Sequence, residues 1–370
     1  MRVNFQKLTD YLNSLAAQGV PGCEMAVWIA HEPVYHHHAG IAKGGETYRL
    51  YSATKVLTAT VVLRLVEEGA LRLSDPVSDY LPEYANLTVE ENGAARPAAT
   101  QMTLEHLLSM QGGLDYDEDT PAIRALIRET NGLADTVAVA RRFAAKPLRF
   151  DPGSGFRYSL CIDAAGAVAV AATGKPLSAL ARELVLDPLE ITDLSFHPTA
   201  GQLRRLAPQF ILDAEGRVVP APECQDRLAC LPNYESGGGG LTGSVDGYMP
   251  LADALANGGV GANGARILSE ASIDDMRRDR QTGPALADWL RVKHKRGYGY
   301  GLGVRTLTDA SASLSPPGEF GWDGAAGAWV MMDPDHRIAA FYAQHVVNMN
   351  RAYYEFHPAI RDLIYEGLNA

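Results

Sequence analysis

RLYSATKVLTATVVLRLVEEG, running from Arg49 to Gly69, sets Ser52 and Lys55 three residues apart where a helix is predicted to begin. On a helix, residues at i and i+3 share a face, so the Lys55 ammonium can reach the Ser52 hydroxyl. Beyond Lys55, the apolar residues Val56, Leu57, Val61, Val62, Leu65 and Val66 recur at three- and four-residue intervals, a buried stripe that would hold the helix rigid. Ser52 then falls at the helix N-terminus, where exposed backbone N–H groups and the positive end of the dipole favour developing negative charge. A serine hydroxyl is a poor nucleophile until a partner takes its proton. Lysine can do so when burial or nearby positive charge lowers its pKa toward working pH, and apolar packing around Lys55 would have that effect. Taken alone, S-x-x-K reads equally well as a capping serine followed by a surface lysine.

The rest of the chain narrows the choice. With 370 residues, 46% of them hydrophobic, it can bury a large core and is long enough for two domains or one elaborated one. A formal net charge of −11 and a pI near 5.4 argue against a nucleic-acid partner, and no basic run suggests an anionic membrane surface. The N-terminal residues read as an amphipathic helix with Phe5, Leu8, Leu12 and Leu15 on one face. No continuous apolar run of secretory or membrane-spanning length is present, so a cytoplasmic location is expected. Cys23, Cys161, Cys224 and Cys230 lack C-x-x-C spacing and read as buried free thiols.

CEMAVWIA (Cys23 to Ala30) and PVYHHHAGIA (Pro33 to Ala42) form a predicted hairpin. His36 and His38 would project from one strand face, but with no third ligand at suitable spacing they read as ordinary strand residues, and no metal is expected. From Leu73 to about Leu290 the pattern is mostly helical, with Thr103 to Leu114 ending at a glycine pair. Its capping-box spacing, Thr103 to His106, is imperfect. The four glycines before Leu241 lack a Walker lysine and read as a turn passing close to another backbone. From Tyr298 strands return as YGYGLGVRT, GAWVMMDP and RIAAFYAQHV, and a helix from about Tyr354 to Leu368 closes the chain. The expected fold is α/β (α+β): one antiparallel sheet of about five strands covered by helices on both sides. Residues 1–72 and 291–370 would build it, with the mainly helical 73–290 inserted and the active site between them.

Three stretches in this order, YSATK (Tyr51 to Lys55), RYSLCID (Arg157 to Asp163) and FGWDGAAG (Phe320 to Gly327), resemble the serine β-lactamase and penicillin-binding superfamily. The resemblance is to its class C-like branch and, in motif, to the family VIII carboxylesterases. It implies Ser52 as nucleophile, Lys55 as its activator and Tyr158 as the group that carries the proton to the leaving group. It also implies a third motif on an edge strand lining the pocket, with an oxyanion hole from the backbone N–H groups of Ser52 and Ala325. No cofactor is implied, and the partner would be a small-molecule ester or amide.

The departures point to the substrate. Where class C β-lactamases carry Tyr-x-Asn, this chain has Tyr158-Ser159-Leu160, an aliphatic group in place of an amide. Where they carry Lys-Thr-Gly it has Trp322-Asp323-Gly324, which offers an apolar wall and no cation for a substrate carboxylate. Alternation along a strand would turn Asp323 away from the pocket, and a side chain facing in would disfavour anions further. Leu160, Trp322, Asp323 and Gly324 are thus expected to border the substrate. The leading expectation is a serine hydrolase of short-chain or aryl carboxylic esters. The alternatives are a class C-like β-lactamase or D-alanyl-D-alanine carboxypeptidase, and a non-catalytic binding protein on the same fold.

Overall fold

A computed structural model describes residues 3–221, 228, 231–292 and 295–368. The first helix, α1 (Gln6–Ser14), is amphipathic as predicted, with Leu8, Leu12 and, just past its end, Leu15 buried. The hairpin follows as β1 (Gly22–Ile29) and β2 (Glu32–Gly40). Near the other end of the chain come β3 (Tyr298–Tyr300), β4 (Arg305–Leu307), β5 (Phe320–Asp323), β6 (Trp329–Asp333) and β7 (Ile338–Gln344). Together they make a seven-stranded sheet in the order β3-β4-β5-β6-β7-β1-β2. All its neighbours are antiparallel, with Met25 of β1 opposite Tyr342 of β7 tying the two ends of the chain together.

Alternate residues feed two cores, because side chains along a strand point to opposite faces. Met25, Val27, Met331, Ala340 and Tyr342 pack with α1 and the C-terminal helix α2 (His357–Leu368). Ala26, Val330, Met332, Ala339 and Phe341 pack on the other side with the rest of the molecule. There the helix Val245–Ala256 lies on the sheet, its Tyr248 ring stacked on Phe341 at 4.3 Å and 7°. The 73–290 stretch, expected as a separate helical domain, therefore also furnishes one cover of the sheet.

The strand count is seven rather than about five for two local reasons. YGYGLGVRT is two strands and a tight turn, closed by Gly301 N–H donating to Val304 O at 2.9 Å, with Gly303 at φ 78°. The third motif, Phe320–Asp323, is itself β5. It is an interior strand, not an edge strand. Its pairing with β4 stops at Gly321, however, so Trp322 and Asp323 run past that neighbour and keep an open side.

Smaller expectations also resolve. Thr103 and His106 make both bonds of a capping box, the imidazole replacing the usual carboxylate or amide. His36 Nε2 lies 2.8 Å from Glu24, and His37 Nε2 lies 2.9 Å from Asn13. Cys23 and Cys161 are buried free thiols, burial pushing them up to about 12 and about 11. Cys224 and Cys230 lie outside the described residues. Among the described residues, no single helix is long and apolar enough to cross a membrane.

Candidate active site

Leu50 is buried and Tyr51 takes a left-handed backbone (φ 46°), uncommon for a residue with a side chain. The chain turns there into a single tight turn, Tyr51–Ala53, and continues as the helix Thr54–Glu67. The helix is buried almost all round, beyond the single stripe read from the sequence. Thr54 Oγ1 accepts from Leu241 N–H at 3.1 Å, Thr58 donates to Gly237 O at 2.7 Å, and Tyr248 donates to Ala53 O at 2.7 Å. Such fixation suits a group that must hold its geometry during a reaction.

On that helix Lys55, fully buried, donates to Ser52 Oγ at 3.0 Å and to Gly238 O at 2.7 Å. Tyr158 donates to the same Ser52 Oγ at 2.7 Å, and the Lys55 Nζ lies 4.8 Å from the centre of the Tyr158 ring. The structure thus brings Ser52, Lys55 and Tyr158 together from stretches more than a hundred residues apart.

The glycine run is a close-approach turn. A Cβ on Gly238 would fall 2.2 Å from the Asp163 carboxylate, so only glycine fits. Gly324 has the same need on the opposite side, where a Cβ would fall 2.3 Å from Leu50 O. This contact seats the end of β5 against the segment carrying Ser52. Ala325 follows in the turn to β6, closed by Gly327 N–H donating to Gly324 O at 2.9 Å.

A pocket of about 240 Å³ opens beside Ser52, lined by Phe156, Tyr158, Trp289, Val292, Trp322, Asp323, Gly324, Ala325 and Tyr353. Trp322 packs its ring against Tyr158 (5.4 Å) and Tyr300 (5.0 Å) and donates its indole N–H to the Tyr158 hydroxyl oxygen at 3.1 Å. Asp323 borders the pocket, but its carboxylate is ion-paired with Lys295, with His357 Nδ1 at 3.9 Å and Arg305 Nη1 at 4.0 Å. Burial alone would raise Asp323; Lys295, Arg305 and His357 outweigh it and hold the carboxyl well below its usual range. Burial pushes Lys295 down from its ordinary value, with Asp323 opposing.

Leu160 is placed elsewhere than the sequence reading put it. It is buried just before the helix Cys161–Thr173, facing a small cavity with Leu114 and Phe143 rather than the Ser52 pocket. The first turn of that helix is packed into the core, which carries Leu160 inward with it. The sequence reading also passed over Phe156, Trp289, Val292 and Tyr353, which carry no motif. It missed Tyr116, whose ring stacks on Tyr158 at 5.8 Å. Asp163 was within reach, since it ends the quoted RYSLCID stretch.

The Beta-lactamase family profile matches residues 5–363. Esterase EstB of Burkholderia gladioli is 33% identical over 306 residues, covering 76% of this chain and 72% of its own. Lovastatin esterase of Penicillium rubens is 31% identical over 278 residues, covering 72% and 67%. Among solved structures, EstCE1, a hydrolase with promiscuous acyltransferase activity, superposes with a TM-score of 0.78 at 25% identity over 98% of each chain. A match along nearly the whole length, joined to esterase relatives above 30% identity, places the chain in the β-lactamase family, as a serine hydrolase of that fold.

Proposed function

We propose that the chain is a carboxylesterase that cleaves uncharged short-chain or aryl esters through an acyl-enzyme on Ser52. The observation that carries this reading is the wall beside the nucleophile. Trp322 presents an aromatic face, and the two cations behind that wall are already committed, Lys295 to Asp323 and Arg305 to Glu319 at 3.1 Å. Asp323 is the one charged residue lining the pocket among the described residues. A carboxylate entering there would be desolvated without a partner, at a cost of several kcal/mol. An uncharged ester escapes that cost.

In this reading Ser52 Oγ attacks the ester carbonyl while its proton passes to Lys55 in its neutral amine form, and Lys55 hands it on to Tyr158 as Tyr158 gives its own proton away. The tetrahedral oxyanion is held by the backbone N–H groups of Ser52 and Ala325, each such donor being worth about 3 kcal/mol. Collapse breaks the bond to the alkoxy oxygen, which leaves as the alcohol with a proton from Tyr158. Water then attacks the acyl-enzyme, gives its proton to the same pair, and the acid departs as Ser52 is reprotonated. The aromatic lining of Phe156, Trp289 and Trp322 suits a short acyl chain or an aryl group.

The test is kcat/KM for p-nitrophenyl acetate and butyrate beside benzylpenicillin and nitrocefin. The ester values should exceed the β-lactam values by at least about a hundredfold, two factors of 1.4 kcal/mol. Nitrocefin hydrolysis comparable to the esterase activity would move the assignment to the β-lactamase branch.

A further inference from the structure

Two buried charges near Ser52 lack an ordinary ion-pair partner. Lys55 is fully buried, and its ammonium is held by Ser52 Oγ and by Gly238 O at 2.7 Å, both uncharged acceptors. Asp163, also buried, accepts at Oδ1 from Tyr234 O–H (2.9 Å), Ser236 O–H (2.6 Å) and Gly238 N–H (3.1 Å). Its Oδ2 is sealed from solvent with no hydrogen-bond donor. Among the described residues, neither has a partner of opposite charge within ion-pair distance. Isolated buried charges are costly, and the cost falls when opposite charges compensate one another. Here they take opposite ends of one residue: the Gly238 N–H points to Asp163 and its C=O to Lys55.

The geometry points to Asp163 as the counter-charge of Lys55, a positioning residue that acts through Gly238 on the Ser52–Lys55–Tyr158 pair. This rests on the esterase reading only in assigning Ser52 as nucleophile. The hydrogen bonds fix the glycine, the glycine carbonyl aims the Lys55 side chain, and the carboxylate sits on the far side of that one residue.

The other titratable groups around these two side chains are mainly tyrosines. Tyr158 and Tyr116 face Lys55, its Nζ lying 4.8 Å and 5.9 Å from their ring centres. Around Asp163 stand Tyr234, Tyr84 and Cys161, all pushed up by burial, with Glu118 acting on Tyr234 from farther out. Tyr300 and Tyr353, both raised by burial, face Tyr158. Asp323 of β5 pairs with Lys295, whose Nζ lies 5.3 Å from the centre of the Trp322 ring.

Asp163→Asn keeps an acceptor for all three donors and removes the charge. A negative charge raises the pKa of any nearby proton acceptor, so its removal moves the acid limb of the Lys55–Tyr158 pair to lower pH. The measurement is the second-order rate of Ser52 labelling by a fluorophosphonate across pH 4–10, read by intact mass. Asp163→Asn should move the acid limb down by about one pH unit or more and lower the plateau about threefold to tenfold, since a weaker base is a poorer catalyst. Ser236→Ala keeps the charge and strips one donor from it, so its limb should move the other way. A limb at the wild-type pH in Asp163→Asn, with only the plateau reduced, would make Asp163 a structural residue and overturn the proposal. Should Asp163→Asn fail to fold, Ser236→Ala and Tyr234→Phe decide: upward limbs support the proposal, and unmoved limbs overturn it. Absence of labelling at Ser52 in the unmodified protein would instead overturn the esterase reading, so the two failures are distinct.

Discussion

Trp322 donates its indole N–H to the Tyr158 hydroxyl oxygen at 3.1 Å, while Tyr158 donates its own proton to Ser52 at 2.7 Å. An indole N–H can only donate, so it occupies a lone pair of the phenol and leaves the phenolic proton aimed at Ser52. Any negative charge that Tyr158 takes on during proton transfer is stabilised by the same bond. Trp322 is therefore both the apolar wall read from the sequence and a donor to the proton-transfer group.

Trp322→Phe separates these two roles, since it keeps a ring and removes the donor. A hydrogen bond to a group gaining charge is worth about 1.5–3 kcal/mol. We expect kcat for p-nitrophenyl butyrate to fall at least about tenfold with KM changed little. An equal rise in KM with kcat unchanged would confine Trp322 to substrate binding.

Lys55 and Tyr158 meet at one oxygen, so their replacements should not multiply. Lys55→Ala and Tyr158→Phe should each cost orders of magnitude in kcat with the fold intact by circular dichroism, and the double variant little more than the worse single. Losses that multiply would show independent roles.

The sheet was legible where a near-continuous apolar run marked a strand. Val27 and Met25 alternate with Ala26 because β1 is buried on both faces, and the hairpin was read to within a residue or two. Where strands are three residues long, as in β3 and β4, the stretch read as strand but its division in two did not show, because so short a run carries no periodicity of its own. In the site, Ser52, Lys55 and Tyr158 were readable because the chemistry fixes their types and spacing. Leu160 was misplaced because motif position says nothing about where a side chain points once the helix behind it is packed. Lys295 and Tyr353 reach the site through tertiary packing alone, which no local pattern reports.

Stability should depend on pH through two buried histidines. Burial lowers His345 and His357 from the ordinary 6.5 to about 4. A base whose folded pKa lies below its unfolded value binds fewer protons when folded, so stability is lost as pH falls from 6.5 toward 4. Asp323 acts in a different window: held below its ordinary 3.8, it contributes stability above that value and loses it only at still lower pH. Urea unfolding should therefore weaken between pH 7 and pH 4.5, at up to about 1.4 kcal/mol per pH unit for each histidine. His357→Asn should flatten the slope by about one proton. A flat profile over that range would contradict the assignment of both histidines as neutral.

The central claim is that Ser52 is the covalent nucleophile of an ester hydrolase, and intact-mass analysis after a fluorophosphonate probe tests it most directly. One adduct per chain is expected, mapped to the peptide containing Tyr51 to Lys55, slowed by competing p-nitrophenyl butyrate and absent in Ser52→Ala. Labelling of Ser52→Ala at the rate of the unmodified protein would contradict it.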